Sequence, residues 1–470
     1  MVLATPMAYP SFLDQASNAF AMSPVAAQLG ESIEAQNQGW HERLSQSPFT
    51  VGLGANGTWY QPYPNIALGG DPRRTFAFDP SATILYQPRS GFAATVVAGY
   101  TFARLQTPTT YLSPTQPFNL ALNVSYDLIQ GGLHSTLWLQ ARASAAQVAA
   151  QHFAYDQQTI DAKSGFLALM TDLYTADCKI GLLDDMRRRI EDMLTAARIQ
   201  LRTRTMSQRD FLNFANLESN FATQLVELQA NRAALSEQAR AYGSAAWTLD
   251  AALAAEHSIC HPDVDASVTQ ARAKIIATSE LDAWAQALPA TLSAVATQES
   301  TQLTALFVRK SNLPHLSPFV NAQMGQPDFS AQAIAQVTAG LSFDWNIPGA
   351  RGGYAEREAQ HNAAAARAQA DGGFLSSRSV LRQLNAQLYF QAQVLDVLKK
   401  SLANSDLLLR TLEAQKAIGQ VDSLNFTTAY LDNVAVQESL LDAWGFVQKA
   451  TITHDLYERW VKAAGPRGPR

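Results

Sequence analysis

The chain has no run of ~18 consecutive apolar residues, the least that a membrane-crossing helix needs, so any membrane role would fall to strands. Only two cysteines are present, Cys178 and Cys260, too few for a disulfide scaffold. One bond between them stays open in an oxidising compartment, provided the fold brings their Cα atoms within ~7 Å. Charged residues make up only 16% of the sequence, and the net charge is -5. That balance leaves no clustered Lys/Arg face and excludes a nucleic-acid footprint. Met1 to Ala8 lacks both the charged start and the apolar core of a secretion signal, so either the true start is trimmed or misassigned, with Ala4 to Ala8 a remnant, or the protein is not exported. A nucleophile elbow and a Walker loop are missing too, and the carboxylates are scattered along helical faces. No catalytic residue, metal or cofactor is therefore expected.

What is present is one plan written twice. An alternating strand ends at Tyr126-Asp127-Leu128-Ile129-Gln130-Gly131-Gly132 and runs into a long alanine-rich helical stretch. A second ends at Phe343-Asp344-Trp345-Asn346-Ile347-Pro348-Gly349 and enters another long helix after Gly352 and Gly353. Both times a period of two gives way to one of ~3.6 at Gly or Gly/Pro punctuation. Such a unit builds a conduit more readily than a catalytic pocket.

The strands alternate strictly. Phe49, Val51, Leu53 and Trp59 interleave with Thr50, Gly52, Gly54, Thr58 and Tyr60. Phe118, Leu120, Leu122, Val124, Tyr126 and Leu128 do so with Asn119, Asn123, Ser125 and Asp127. In the second half Val337, Ala339, Leu341, Phe343, Trp345 and Ile347 are interleaved in the same way, with Phe319 to Met324 as a less regular partner. A half-wet antiparallel sheet in a soluble protein alternates in this manner too. Two details favour a membrane barrel: segment lengths near the ~9–11 residues of a tilted spanning strand, and aromatics such as Trp59, Tyr60, Tyr126 and Trp345 toward the ends. Four strands cannot close a lumen, so closure would need several copies. Phe92 to Phe102 and, more weakly, Phe76 to Tyr86 also read as strands and would add a hairpin. Residues 61–117 are otherwise read mainly as a large outer loop.

The helices carry sustained heptad seams. Leu381, Leu384, Leu388, Leu395, Leu398, Leu402, Leu409 and Leu412 follow three- and four-residue steps, with Gln391 and Ser405 at the interruptions. Leu183, Met186, Ile190, Met193 and Ala197 make the seam of the first half. Phe214, Leu217, Phe221, Leu228 and Leu235 form its returning arm, and Phe426, Tyr430, Val434, Leu441 and Trp444 the return of the second half. At ~1.5 Å per residue, unbroken arms of this size reach many tens of ångströms, beyond an ordinary soluble bundle. Alanine-rich flanks such as Ala363 to Ala370 let helices approach side by side.

On these residues the chain resembles the TolC family of outer-membrane efflux proteins, over nearly all its length from about Ser23 to Trp460. The resemblance rests on the duplicated layout, the strand-to-helix exits at Gly131, Gly132, Pro348 and Gly349, and two hairpin tips. The first tip reads Arg204-Thr205-Met206-Ser207-Gln208-Arg209-Asp210-Phe211-Leu212, and the second Ile418-Gly419-Gln420-Val421-Asp422-Ser423-Leu424-Asn425-Phe426. Both are similar to the family's loose Gly-x-x-Ser/Thr-x-x-Asp-hydrophobic turn.

Membership would imply a mainly α protein with a membrane β-barrel. Four strands per chain of a homotrimer would form one twelve-stranded barrel in outer-membrane lipid, and long helical hairpins a periplasmic coiled-coil tunnel. It would be a passive duct, working with a periplasmic adaptor (membrane fusion protein) and an inner-membrane transporter. Arg204, Ser207, Gly419 and Val421 would contact the adaptor; Asp210, Lys416, Asp422, Asn425 and Thr428 would line the gate. The chain departs from the pattern where Arg204 replaces Gly. It also has Asn425 and Thr428 where relatives with an acidic constriction carry aspartates, and Lys416 where some place a gate-bonding tyrosine.

The expected organisation is a helical segment (1–47), a first strand pair with a long outer loop (48–130), a first helical hairpin (131–243), and a linker with middle helices (244–315). A second strand pair (316–348), a second hairpin (349–462) and a tail (463–470) follow. Two motifs lack the context that their chemistry needs. Gly52-Leu53-Gly54-Ala55-Asn56-Gly57 matches a dinucleotide-binding pattern but sits within a strand with no helix after it. His257-Ser258-Ile259-Cys260-His261 has metal-ligating atoms without the second pair of a structural zinc site and reads as a polar loop. An elongated soluble coiled-coil scaffold or adaptor is the alternative to a channel.

Overall fold

A computed structural model describes residues 9–44, 49–60, 75–88, 90, 92–100, 102–104, 118–131, 135–204, 206–256, 262–326, 332, 334–345, 350–417 and 423–464. In chain order they form α1 (Tyr9–Ala21), α2 (Pro24–Leu44), β1 (Phe49–Tyr60), β2 (Thr75–Tyr86), β3 (Phe92–Tyr100), β4 (Phe102–Arg104) and β5 (Phe118–Tyr126). Then come α3 (Thr136–Arg202), α4 (Gln208–Arg240), α5 (Ser244–Glu256), α6 (Val264–Ala273), α7 (Leu281–Ala287) and α8 (Pro289–Ser311). The chain continues with β6 (His315–Gln326), β7 (Ile334–Asp344), α9 (Ala350–Ala417) and α10 (Ser423–Ala464). The described residues divide into a sheet-bearing unit (36–150 and 294–370) and a helical unit (1–35, 151–293 and 371–470).

The sheet is antiparallel throughout, in the order β1-β2-β3-β5-β6-β7, with short β4 paired to β2. It has more than the four strands expected per chain, and within 61–117, read mainly as an outer loop, it takes up the added hairpin that Phe76–Tyr86 and Phe92–Phe102 left open. Among the described residues six long strands are present, because β2 and β3 pair within that stretch; residues 61–74 and 105–117 lie outside the described set. The signal of β2 is weak for a local reason. Pro80, which cannot donate to a ladder and is disfavoured in a strand interior, falls at the break between the β2–β3 and β2–β4 pairings.

The helical unit owes its elements to strong helix formers and well-placed caps. Ser207 Oγ accepts from the Asp210 amide at 3.1 Å to start α4, and Asp263 Oδ1 accepts from Ala266 N at 2.9 Å to start α6. Gly243, at φ 100°, separates α4 from α5 in a conformation that favours glycine. Part of the expected seams is core: Leu381, Leu388 and Leu395 are fully buried, as are Met186, Ile190 and Phe214, while Leu402, Leu409 and Leu412 stay half-buried. Beside them Tyr9, Phe12, Tyr174 and Trp444 form an aromatic cluster that fastens α1 to α3 and α10, with Tyr9 Oη 2.8 Å from Thr171 Oγ1. Buried Cys178 is disulfide-bonded; the chain's other cysteine, Cys260, lies outside the described residues.

Candidate functional site

In the sheet-bearing unit the ladder register arranges the side chains in lines that cross all six long strands. Phe49, Tyr86, Ala94, Val124, Val320 and Ala339 stand opposite one another in sequence across the sheet. The next line on the same face is Val51, Ile84, Val96, Leu122, Ala322 and Val337, and the next Leu53, Ala82, Ala98, Leu120, Met324 and Ala335. Every member of the three lines is apolar or aromatic. The line between the first two, on the opposite face, is Thr50, Leu85, Thr95, Asn123, Asn321 and Thr338. One face thus shuns water and the other accepts it. Val51 at 66%, Leu53 at 84% and Val337 at 70% exposure leave the apolar face uncovered. Near one margin Phe49 and Tyr86 stack at 4.5 Å, and Tyr86 meets Phe92 at 6.1 Å. Phe319 projects from the opposite face, where apolar Leu85 and Val97 also stand among polar neighbours, and glycine at 340 leaves it room: a Cβ there would come within 2.9 Å of its ring.

The strand-to-helix exit of the first half is locked by Asp127. Its Oδ1 accepts from the amides of Ile129 (3.0 Å) and Gln130 (2.8 Å), while Oδ2 lies 2.5 Å from His315 Nδ1 at the start of β6. Gln130 Nε2 donates to the Leu313 carbonyl at 2.6 Å, and Lys310 Nζ to the Gly131 carbonyl at 3.2 Å. Gly131 is required sterically, since a Cβ would meet the Asp127 carbonyl oxygen at 2.0 Å. Gly132, Pro348 and Gly349 lie outside the described residues.

In the helical unit the first tip is a tight turn. Arg204 has φ 58° and is the one non-glycine residue in the left-handed region among those described. This is the position where the resembled family has glycine, and a Cβ there costs ~1–2 kcal/mol. Ser207 Oγ donates back to Asp210 Oδ2 at 2.6 Å, so Asp210 is engaged by its own cap. Lys416 Nζ sits 4.4 Å from the centre of the Phe426 ring, a cation–π contact within its own hairpin. Asn425 and Thr428 are exposed, whereas Phe426 and Thr427 turn inward and Thr427 Oγ1 contacts Met193 Sδ at 3.3 Å. Gly419, Val421 and Asp422 lie outside the described residues. Asp210 and Lys416 each keep a local partner, and no bond joins them within the chain among the described residues.

Two polar clusters of this unit have no local sequence pattern that signals them. Arg232 donates to Asp177 Oδ1 (3.0 Å) and Oδ2 (3.2 Å) and to the Asp250 carbonyl (3.2 Å), joining α4 to α3 and α5. Asp250 Oδ1 lies 2.7 Å from the same guanidinium but off the donor direction, so this contact is Coulombic; Ser236 Oγ donates to its other oxygen. Burial works against the Arg232 charge, but Asp177 and Asp250 outweigh it and hold the guanidinium above its ordinary pKa. The second cluster is His454, Asp455 and Glu458, which have the atoms to ligate a cation. Lys274 already pairs with Asp455, and Lys462 with Glu458 at 2.5 Å, so protein ammonium groups occupy that role.

No family model matches the sequence, and no characterised protein matches it at the sequence level. Solved structures match over nearly the whole chain. The outer-membrane channel OprN aligns with a TM-score of 0.65 at 12% identity, over 96% of this chain and 91% of its own. The outer membrane protein VceC of Vibrio cholerae gives 0.62 at 12% identity, over 97% of this chain and 96% of its own. The open state of the Neisseria gonorrhoeae MtrE outer membrane channel gives 0.57 at 14% identity, over 96% and 89%. What is shared at such identities is the fold. The chain shares the fold of these outer-membrane proteins, with long helices and an antiparallel sheet, as the resemblance to the TolC family implies.

Proposed function

We propose that this protein is an outer-membrane channel, a passive exit duct for efflux or type I secretion. The observation that carries this reading is the uncovered apolar face running across every long strand. A sheet with one such face, and with two edges that have no strand partner among the described residues, is stable where lipid covers the face and further copies cover the edges. The soluble-scaffold alternative accounts for the helices and leaves this face without a purpose.

The trimer is supported from the helical unit. A second stripe on α9, comprising Phe390, Val394, Val397 and Leu408, follows heptad spacing and is exposed, as an interface awaiting a neighbouring copy would be. A periplasmic adaptor and an inner-membrane transporter complete the assembly, with the tips at Arg204, Ser207, Gly419 and Val421 as the adaptor contact. At the gate, Asp210 and Lys416 lie on different hairpins and would meet across neighbouring coiled coils, with Asp422, Asn425 and Thr428 beside them. Such a pair would form beside the local contacts to Ser207 and Phe426, and, exposed, it contributes only ~0–1 kcal/mol. That is enough to bias a closed state which a docked partner reopens.

The test is purification in detergent followed by mass measurement and planar-bilayer recording. Trimeric mass with discrete conductance steps is the expected result. A monodisperse protein in detergent-free buffer that inserts no conductance would overturn the reading.

A further inference from the structure

We infer that the β1–β2 hairpin is part of the barrel wall, so that the shared barrel has eighteen strands and is closed by β1 of one copy pairing with β7 of the next. The inference rests on the channel reading above and goes beyond it in strand number and in which strand forms the seam.

Three observations carry it. First, the three apolar lines pass through β1 and β2 without a break: Phe49 and Tyr86, Val51 and Ile84, and Leu53 and Ala82 extend the face formed by β3, β5, β6 and β7. A hairpin lying over the barrel as a loop would have no reason to keep that register. The aromatic margin continues as well, since Phe49, Tyr86 and Phe92 touch in succession, and Phe92 stands opposite Tyr126. Second, β1 and β2 are 12 residues each, as long as β6, and pair over their full length. That length spans a hydrocarbon layer at ordinary barrel tilt.

The third observation concerns the edges. Among the described residues, the outer edges of β1 and β7 have no strand partner. Strands that stay unpaired in water are normally blunted by charge or proline. Here β1 contains neither, and β7 has a single charge, Asp344, at its last residue. Such edges are built to pair. The chain's sheet alternates in direction over an even number of long strands, so β7 of one copy and β1 of another run antiparallel when brought together. A second copy of this chain therefore fits the edge without a change of sheet type, and six long strands from each of three copies give eighteen. Because barrel diameter grows roughly linearly with strand number, the lumen would be about one and a half times as wide as a twelve-stranded one.

The competing arrangement folds β1 and β2 away and seals β3 against β7 of the next copy, giving twelve strands. Cysteine pairs separate the two. In the full chain, Val337→Cys is combined in turn with Val51→Cys, Leu53→Cys and Ala55→Cys, and in a parallel series with Val96→Cys and Ala98→Cys. Oxidation in native membranes should give covalent dimers and trimers in the first series and none in the second. Imaging the unmodified trimer in lipid nanodiscs should show eighteen strands. Cross-links confined to the Val96 and Ala98 series, or twelve strands in a conducting trimer, would overturn the inference and leave the channel reading standing. A protein that forms no trimer and inserts in no membrane would overturn both.

Discussion

Among the described residues of the first half four long strands, β1, β2, β3 and β5, precede the helical pair α3 and α4, whereas in those of the second half β6 and β7 alone precede α9 and α10. The helical pairs differ as well. The first is tied by a buried ionic cluster, Arg232 with Asp177 and Asp250. The second uses amides: Asn433 Nδ2 donates to Asp406 at 2.7 Å, and Gln437 Nε2 to Asn433 Oδ1 at 2.6 Å. One architecture is therefore held by two chemistries that fail differently. An ionic cluster that loses one member leaves unbalanced charge in the core, while an amide chain loses one bond at a time.

That contrast sets the largest expected effect. Arg232→Met should destabilise the protein by ~3–5 kcal/mol by stranding two carboxylates, whereas Asn433→Ala should cost ~1–3 kcal/mol. Denaturant unfolding in detergent measures both, and equal losses would erase the distinction between the hairpins. Next comes the sheet, where the halves should behave alike. Leu122→Arg in the first half and Val337→Arg in the second should each cost ~2–4 kcal/mol, and Asn123→Arg on the opposite face much less. Equal tolerance of Leu122→Arg and Asn123→Arg in a folding assay would remove the barrel assignment.

A smaller effect of opposite sign is expected at the first tip. Arg204→Gly should stabilise the turn by ~1 kcal/mol, because glycine adopts φ 58° without a Cβ penalty. A fall in melting temperature would mean that the arginine side chain more than offsets its backbone strain. Smaller still, Asp210→Ala and Lys416→Ala should each raise single-channel conductance at low salt, non-additively in the double variant. Conductance like the parent's in both would leave the tips as docking surfaces alone.

The least effect is a pH dependence confined to α10. Burial disfavours the Asp455 charge, but His454 and Lys274 prevail and hold its carboxyl below the usual aspartate range. A depressed folded-state pKa means that this contribution is full above ~3.9 and is lost as pH falls through the lower folded value. Asp455→Asn should flatten the acid limb of the stability profile in that window, and an unchanged limb would show that Lys274 pairs elsewhere.

Much of this was legible in the sequence where the pattern repeats. The Leu381-to-Leu395 seam and the Leu120-Leu122-Val124 face announce themselves because heptad and period-two spacing are local. The hairpin of β2 and β3 was legible only as an option, since Pro80 argues against a strand running through Phe76 to Tyr86. The tips were visible as motifs, and the Arg204 departure from glycine marked a backbone feature that only φ reveals. Asp127 with His315, and Arg232 with Asp177 and Asp250, were not legible. Their members are far apart along the chain, and nothing in a lone Asp or Arg says that it is buried or which partner it will meet.

Asp127 has a mechanical consequence. One carboxylate caps the turn that leaves β5 and also grips His315, the first residue of β6, so two neighbouring strands end on a single fastening. Load arriving through the first turns of α3 cannot peel β5 away alone. It must shear β5 and β6 as a pair, and a failure of that one side chain would slacken the rim at two strands in the same event.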